Sequence, residues 1–574
     1  MKSIPPFFKH IGMLAMAGII LRLLTAWQIS RITNFVYAPP STTDLATYMT
    51  LSRRILEGTF EGAFYYQPFY YAAFLPGVML IFGKSVWSVI TVQAILGGLT
   101  IFFAGWGAKI LKNEKSGIIT AVLLMLSNVL IFYTPFHKIA TLQTFMVTMF
   151  TFFLIAAFKD RKERLRYWIC AGAFLGMGCA ARGNLYIMLV GLIPLILWKF
   201  PWRKSLSRIG VIIGMTILMQ SPFIIYNSIQ EKHLCGSSTA SSAVLALGNT
   251  PEAPPGGLEY PESYHVFMAK EKERSVPLQI LDYLFSEPLA YLELTFRKVI
   301  LFYDSKDIPN NVNISTQGGP LLNNNIFGWV GWILILCIGG ILYNLKRIFK
   351  ERDFGTLILI SNIIFYGLSI SMFYNLARFR APILPSMAIC GGIFAVQFYE
   401  KCKEKDLKKI IIALCGGIFA ALALVPAYNS YEKYIMRLVR PQGTHIIAQT
   451  GQKAVFDYGP MHFGGQNIMP VKEGDLIEKT FAGVPADTKG FLNINPCLFK
   501  RVLLEINGRK LYWTNSQGKY ITIPCQLKDG KIAIRLLHID ADIPAILFDS
   551  QRNYQRSMLN GKSIDGEWQM RFYY

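Results

Sequence analysis

Asp44 stands four residues, or one helical turn, before Tyr48, and is the sole carboxylate between the first apolar run and Glu57. An acid so placed has two uses. It can cap a helix, accepting backbone N–H bonds at the positive end of the dipole, or it can orient and deprotonate a hydroxyl group. Arg182 in CAARGNLY and Arg378 and Arg380 in NLARFRAPILP sit beside apolar runs, as does the pair His137 and Lys138. Guanidinium forks match phosphate oxygens bidentately, and they also reach lipid phosphates from helix ends. Together these basic groups describe a site for an anionic lipid headgroup beside a carboxylate. Tyr48, His137, Lys138 and Arg54 are candidate substrate contacts, while Arg53 and Arg54 also suit a headgroup-facing surface. No HExxH, P-loop, GxSxG or metal-ligand spacing occurs. The sequence therefore leaves the cofactor unknown, and a divalent ion would have Asp44 alone to bind.

The elements that must position these residues are set by hydropathy. The 574 residues are 52% hydrophobic and 14% aromatic, with a mean hydropathy of +0.35, yet they include long polar stretches. That combination requires a membrane region plus a polar portion. Runs long enough to cross a bilayer, roughly 17 to 25 residues, begin at Ile11, Trp87, Ile118, Ile139, Trp168, Leu185, Ile209, Ile326, Phe354, Ile383 and Ile410. The expected count is thus about eleven spans. The first run lacks a small-residue cleavage site and reads as a retained helix. Arg22 lies within it, where a central Arg costs roughly 2.5 to 3.5 kcal/mol, so it must face protein or snorkel outward.

The formal charge of +23 is spread through loops rather than gathered in one patch or aromatic stripe, which excludes a nucleic-acid partner. KNEK, KDRKERLR, KFPWRKSLSR, KRIFKERD and YEKCKEKDLKK hold 20 Lys and Arg, whereas the alternate short loops hold four: Lys138, Arg182, Arg378 and Arg380. By the positive-inside rule the first group and the N-terminus are cytoplasmic. Three polar segments then lie outside: about 30–86, about 227–325, and everything after about Asn429. The first contains TTDLATYMTLSRRILEG, an amphipathic interfacial helix behind a cap at Thr43 or Asp44. The apolar but Pro-broken YYQPFYYAAFLPGVMLIFG follows it, and reads as a re-entrant or surface-lying helix, since counting it as a span would invert every later loop.

After Asn429 the apolar runs shorten to strand length in KAVFDY, FLNIN, RVLLEI, KLYWTN, KYITIP, KIAIRLLHI and PAILFD. Turns such as INGRK and LKDGK separate them, which predicts an all-β, sandwich-like domain. The expected organisation is a transmembrane domain over 1–429 and a β-rich extracytoplasmic domain over 430–574. Of nine cysteines, six lie in or beside apolar runs, while Cys497 and Cys525 fall in the polar tail, where a disulfide between them would persist.

In consistent order over about Met1 to Asn429, TTDLATYMTLSRRILEG, YYQPFYYAAFLPGVMLIFGKS, FYTPFHKIATLQTFMVTMF, GAFLGMGCAARGNLY, QSPFIIYNSI with ALGNTP, and RFRAPILP resemble the C-type (GT-C) membrane glycosyltransferases. More narrowly they are similar to the bacterial branch related to protein mannosyltransferases and the lipid A aminoarabinose transferase. The resemblance implies transfer of a sugar from a polyprenyl-phosphate donor to a protein, lipid or glycan acceptor outside a bacterial cytoplasmic membrane. It implies Asp44 as the catalytic acid of the first external loop and Arg378, Arg380 and Arg182 as donor-phosphate ligands. The chain departs from the pattern where relatives carry Glu after the third span, since Gln143 stands near that place, and Asp44 has no acidic neighbour. A transporter or flippase of an anionic or lipid-linked substrate is the rival class, but it predicts repeats and midplane charges. An oligosaccharide polymerase or ligase shares the chemistry and differs in donor.

Overall fold

The computed structural model describes residues 5–39, 43–258, 260–304, 312, 314–405, 407–438, 445–449, 452–456, 467–494, 499–514, 521–541, 544–549 and 554–574. Its contacts divide the chain into two units. One comprises Met1–Gly256, Tyr260–Ile308 and Asn313–Ala427, and the other Gly257–Glu259, Pro309–Val312 and Tyr428–Tyr574.

The first unit is helical. Seven helices among the described residues are long and apolar enough to cross a membrane: Pro6–Ile32, Val86–Leu111, Ala140–Lys159, Trp202–Glu231, Val330–Lys350, Phe354–Ser371 and Ala377–Glu404. The four remaining expected spans are also helical. They are Glu114–Leu126, interrupted at Ser127 before Asn128–Phe132; Leu165–Ala181; Ile187–Lys199 behind the turn Gly183–Tyr186; and Lys408–Leu438. Lipid as the surrounding solvent is written on their outer faces. On Pro6–Ile32, Met13, Met16, Ile20, Leu24 and Trp27 are exposed, while Ile11, Ala15, Gly18, Arg22 and Ile29 on the opposite stripe are buried. Contiguous apolar exposure of that kind is not tolerated in water. The chain is a multi-pass membrane protein.

With lipid outside, helix association depends on close backbone approach at small residues. Gly172 and Gly176 on Leu165–Ala181 do this against Trp202–Glu231, where an added Cβ would lie 2.8 Å from the Ile212 carbonyl oxygen and 2.7 Å from that of Thr216. Gly97 plays the same part for Arg22, whose Nε would sit 2.4 Å from a Cβ there. Arg22 is accordingly 1% exposed and faces protein, the first of its two expected alternatives.

The loops meet in two sets that match the alternation of charge. Lys112 pairs with Glu400 at 3.3 Å, Lys159 with Asp353 at 3.5 Å, and Glu163 with Lys204 at 2.8 Å and Arg208 at 2.6 Å. These join the cation-rich loops. The other set is joined by Asn227, whose side chain accepts from Phe64 N at 2.6 Å and donates to Phe64 O at 3.2 Å, and by Thr239 N and Ala240 N bonding to the carbonyls of Phe64 and Tyr65. The Pro-broken stretch is a π-helical turn, Phe69–Phe74, running into Leu75–Phe82. At 14 residues over Phe69–Phe82 it is shorter than a bilayer crossing.

The second unit is built of strands. A five-stranded antiparallel sheet runs in the order His445–Gln449, Gln452–Phe456, Met570–Tyr573, Lys489–Ile494, Ile521–Gln526. A six-stranded sheet orders Lys562–Ser563, Ser557–Leu559, Leu476–Thr480, Lys531–Asp540, Arg501–Ile506, Arg509–Thr514. A third sheet pairs Ala545–Asp549 with Glu567–Trp568 and Asn467–Pro470. Residues from all three, among them Val455, Leu492, Val502, Ile534, Ile546 and Trp568, share one core, so the domain is sandwich-like. INGRK closes a hairpin with Asn507 and Gly508 both at positive φ, and LKDGK turns the chain between sheets with Asp529 and Gly530 likewise. In its core Lys479 and Glu567 form a fully buried ion pair joined by the Ser557 hydroxyl. The expected Cys497–Cys525 pairing involves Cys497, which lies outside the described residues.

Candidate active site

Asp44 is the first residue of the helix Asp44–Leu56, and the cap is Thr43, whose hydroxyl accepts from Ala46 N. The capping role is therefore filled by its neighbour, and the Asp44 carboxylate is turned to another use. Its Oδ2 accepts from Nη2 of Arg378 at 2.9 Å, across 334 residues of sequence. Arg378 is 4% exposed and Asp44 28%, so the acid is the accessible half of the pair.

Arg378 and Arg380 belong to the 3₁₀ helix Ala377–Ile383, entered from extended backbone at Leu376 and buried throughout. With three residues per turn, positions two apart point about 120° from each other. The two guanidiniums consequently part company. Arg378 faces Asp44, while Nη1 of Arg380 donates to the Asp304 carbonyl oxygen. Phe379 between them presents its ring to Arg182, whose guanidinium lies 3.8 Å from the centroid, and Arg378 lies 5.2 Å from the same ring. Arg182 thus shares with Arg378 an aromatic partner suited to cations.

His137 and Lys138 occupy the loop before Ala140–Lys159. Gln93 fixes that loop by donating to the carbonyls of Thr134 at 2.8 Å and Phe136 at 3.0 Å, while Tyr70 donates to Gln93 Oε1 at 3.1 Å. Both residues are 1% exposed. Among the described residues, neither ring nitrogen of His137, nor Nζ of Lys138, nor Nη1 of Arg378 has a hydrogen-bond partner. Buried groups of this kind are nearly always satisfied, so each requires an explanation. Burial pulls the His137 pKa down to about 4. It also takes the Lys138 ammonium well below its ordinary value, helped by the positive charge of Arg378 and opposed by Asp44. Lys138 is thereby an amine whose charged form is disfavoured.

Tyr48 donates to Gln67 Oε1 and stacks on Tyr66 with centroids 6.0 Å apart and planes 5° from parallel. The Tyr66 and Tyr374 hydroxyls approach to 3.5 Å. Desolvation, with Asp44 next, raises Tyr48 and Tyr66 well above the ordinary phenol value, which keeps both as neutral hydroxyls. Beside them opens a cavity of about 290 Å³ lined by Tyr66, Arg182, Ser237, Ser241, Tyr374 and Phe379 among others. Arg54 lies elsewhere, exposed in the last turn of its helix and about 15 Å along the axis from Asp44.

The structure thus brings Asp44, Arg378, Arg182, Tyr48 and Lys138 into one electrostatic cluster, with His137 next to it in sequence, and leaves Arg54 and Arg380 outside. Sequence reasoning missed Tyr66, Tyr374, Phe379 and Gln93. Of these only Tyr66, in the aromatic run before Pro68, carried a local signal. Gln143, at the place of the absent Glu, donates to Asn184 Oδ1 at 3.3 Å, and Asn184 donates to Ser369 at 2.9 Å. It is a structural link between helices. For a divalent ion the donor set does not fit: one Asp44 oxygen is engaged by Arg378, and among the described residues no three His, Cys, Asp or Glu side chains converge.

Residues 66–226 match the family model described as dolichyl-phosphate-mannose-protein mannosyltransferase. That stretch includes Tyr66, Gln93, His137, Lys138 and Arg182. No curated protein sequence matches. Solved structures similar to the chain include the oligosaccharyltransferase AglB from Archaeoglobus fulgidus in complex with an inhibitory peptide and a dolichol-phosphate (16% identity, TM-score 0.43, covering 76% of this chain and 58% of that one). An Archaeoglobus fulgidus oligosaccharyltransferase in the apo form gives 16% identity and a TM-score of 0.44 over 75% of this chain and 56% of that one. ArnT from Cupriavidus metallidurans bound to undecaprenyl phosphate gives 12% and 0.41 over 75% and 72%. The chain spans 58% or less of the length of these two archaeal structures.

Proposed function

We propose that this chain is a membrane glycosyltransferase, moving a sugar from a polyprenyl-phosphate carrier to an acceptor hydroxyl on the extracytoplasmic side of a bacterial cytoplasmic membrane. The observation that carries the reading is the Asp44–Arg378 pair beside buried, unpartnered basic nitrogens of Arg378 and Lys138. Donors left unmade in a protein interior are costly unless a ligand completes them. A phosphate supplies the acceptor oxygens and the negative charge that those groups lack. Asp44, the more accessible partner, is positioned to align and deprotonate the acceptor hydroxyl.

In this reading the hydroxyl oxygen attacks the anomeric carbon as the bond to the carrier phosphate breaks, inverting the configuration there. Arg378, with Arg182 across the Phe379 ring, stabilises the charge gathering on the leaving phosphate. The cavity beside Tyr66 and Tyr374 offers room for the sugar or the acceptor's reacting end. Residues 1–429 form the catalytic region, and 430–574 an extracytoplasmic module or cap. The sidedness, with the N-terminus cytoplasmic, rests on the 20 basic residues of one loop set against four in the short loops of the other. The test is reconstitution of the purified chain in vesicles with radiolabelled polyprenyl-phosphate sugars. Label passing to an acceptor without nucleotide sugar is expected, and its absence with every carrier-linked sugar overturns the proposal.

A further inference from the structure

Lys298 carries a buried amine that the chemistry just described leaves unused. It lies on the helix Pro288–Tyr303, within the polar segment 227–325, at 0% exposure. Its Nζ donates to the main-chain carbonyls of Gly248 and, at 3.2 Å, Ser371, while its own carbonyl accepts from Nδ2 of Asn375 at 3.2 Å. Main-chain oxygens are the partners of the amine, and among the described residues no carboxylate pairs with it. An amine taken out of water is costly unless its donors are met, and here the main chain meets them.

The bonds at Ser371 and Asn375 enclose three residues. Asn249, at the end of the helix Ser241–Asn249, holds the first of these by donating to the Met372 carbonyl at 2.8 Å. Asn249 is itself tied by the Tyr291 hydroxyl, which donates to its Oδ1 at 3.3 Å. Gly248 lets the two segments touch, since a Cβ there would lie 2.7 Å from the Phe373 carbonyl oxygen. The other two enclosed residues, Phe373 and Tyr374, line the cavity of about 290 Å³ together with Arg182, Tyr66 and Ser241. That part of the cavity wall therefore stands on a backbone stretch fastened at both ends to one lysine.

We propose that Lys298 is a positioning residue for the sugar of the carrier-linked donor, acting through Phe373 and Tyr374. The inference rests on the transferase reading above. Arg182, placed there beside the leaving phosphate, borders the same cavity. The sugar bonded to that phosphate is then the part of the donor that reaches Phe373 and Tyr374. Lys298 does not border the cavity; it fixes where the wall stands and leaves the phosphate contacts to Arg378 and Arg182.

Vesicles holding the full chain test this role, with labelled polyprenyl-phosphate sugar as donor and sugar-free polyprenyl phosphate as competing inhibitor. Lys298→Met removes both Nζ bonds and should raise the donor KM at least about fivefold, while the inhibition constant of the sugar-free carrier stays within about twofold. A general loosening of the fold would weaken both ligands alike, so equal shifts, or none, overturn the proposal. The change in KM should vanish where Phe373→Ala and Tyr374→Ala are already present, because positions that act through one another are not additive. Full additivity overturns the proposal as well. Should Lys298→Met fail to fold, Asn375→Ala, which releases only the far end of the stretch, takes its place in both comparisons. An unaltered protein that transfers no sugar overturns the transferase reading and this role with it, whereas transfer by the parent with additive effects overturns the role of Lys298 alone.

Discussion

Replacing Asp44 by Asn keeps the volume of the side chain and removes its charge, which separates two consequences. In the resting protein Arg378 loses its counter-charge. Breaking a fully buried pair costs about 3–5 kcal/mol, but Asn still offers a carbonyl oxygen to Nη2 and the Asp44 side chain is 28% exposed. The expected loss of stability is then about 1–2 kcal/mol, small enough for the variant to insert and fold. In the reaction, loss of a positioned base lowers the rate by roughly 10²–10⁴, equivalent to about 3–5 kcal/mol of barrier. Vesicle assays at saturating labelled donor measure that rate, and thermal inactivation measures the stability. A variant within tenfold of the parent refutes the role of Asp44. The double replacement Asp44→Asn with Arg378→Met sharpens the test. If Asp44 served only to neutralise Arg378, the double variant would regain stability and turn over no more slowly than Arg378→Met alone, and that outcome at saturating donor would sink the catalytic reading.

The two arginines of the 3₁₀ helix should behave differently. Arg378→Ala removes charge-assisted bonds worth about 1.5–3 kcal/mol and should raise the donor KM by roughly 10- to 100-fold. Arg380→Ala, which frees the Asp304 carbonyl, should shorten the thermal half-life while leaving donor KM within about threefold; the reverse ranking contradicts the separation of roles. His137 predicts an acid sensitivity. Its folded pKa, down at about 4, lies below the ordinary value of 6.5, so the unfolded chain binds the proton first as pH falls. Stability present in full above pH 6.5 is lost between 6.5 and 4, amounting to about 3 kcal/mol. His137→Leu should flatten inactivation rates across that window relative to the parent, and parallel profiles would show that His137 does not titrate there.

Hydropathy and loop charge made the helical bundle legible because both act locally: apolar length and a Lys or Arg count are properties of contiguous sequence. The strands of the tail were equally plain wherever β-branched runs ended in Asn-Gly or Asp-Gly, as at INGRK and LKDGK. Short strands such as Ser557–Leu559 and Glu567–Trp568 were hidden, because pairing rather than composition defines them. The site was half visible. Asp44 and the arginines stood out as charges next to apolar runs, but their grouping depends on geometry that spacing alone misstates. Arg378 and Arg380, two residues apart in the motif, diverge because the backbone there is 3₁₀, and Asp44 yields the cap to Thr43. Tyr66 and Tyr374 meet across 308 residues, a separation with no local signature.

The proposed transfer must also dispose of a proton, and the charges of the site indicate where. The acceptor hydroxyl loses one proton while the carrier phosphate changes from a diester to a monoester able to take up a second charge. Asp44, whose Oδ2 accepts from Arg378, is the carboxylate placed to accept that proton as the bond breaks. Lys138 is the opposite case. Burial and the neighbouring guanidinium disfavour its charged form, and the growing charge of the leaving phosphate favours the ammonium. The cluster is therefore two guanidiniums and one amine whose ammonium form an anionic ligand favours. Lys138→Arg makes that charge permanent. Product carrier phosphate should bind this variant about tenfold more tightly and inhibit turnover correspondingly, because the site can no longer shed charge on release. An unchanged inhibition constant, measured against labelled donor at several pH values, would leave Lys138 without a part in the proton balance.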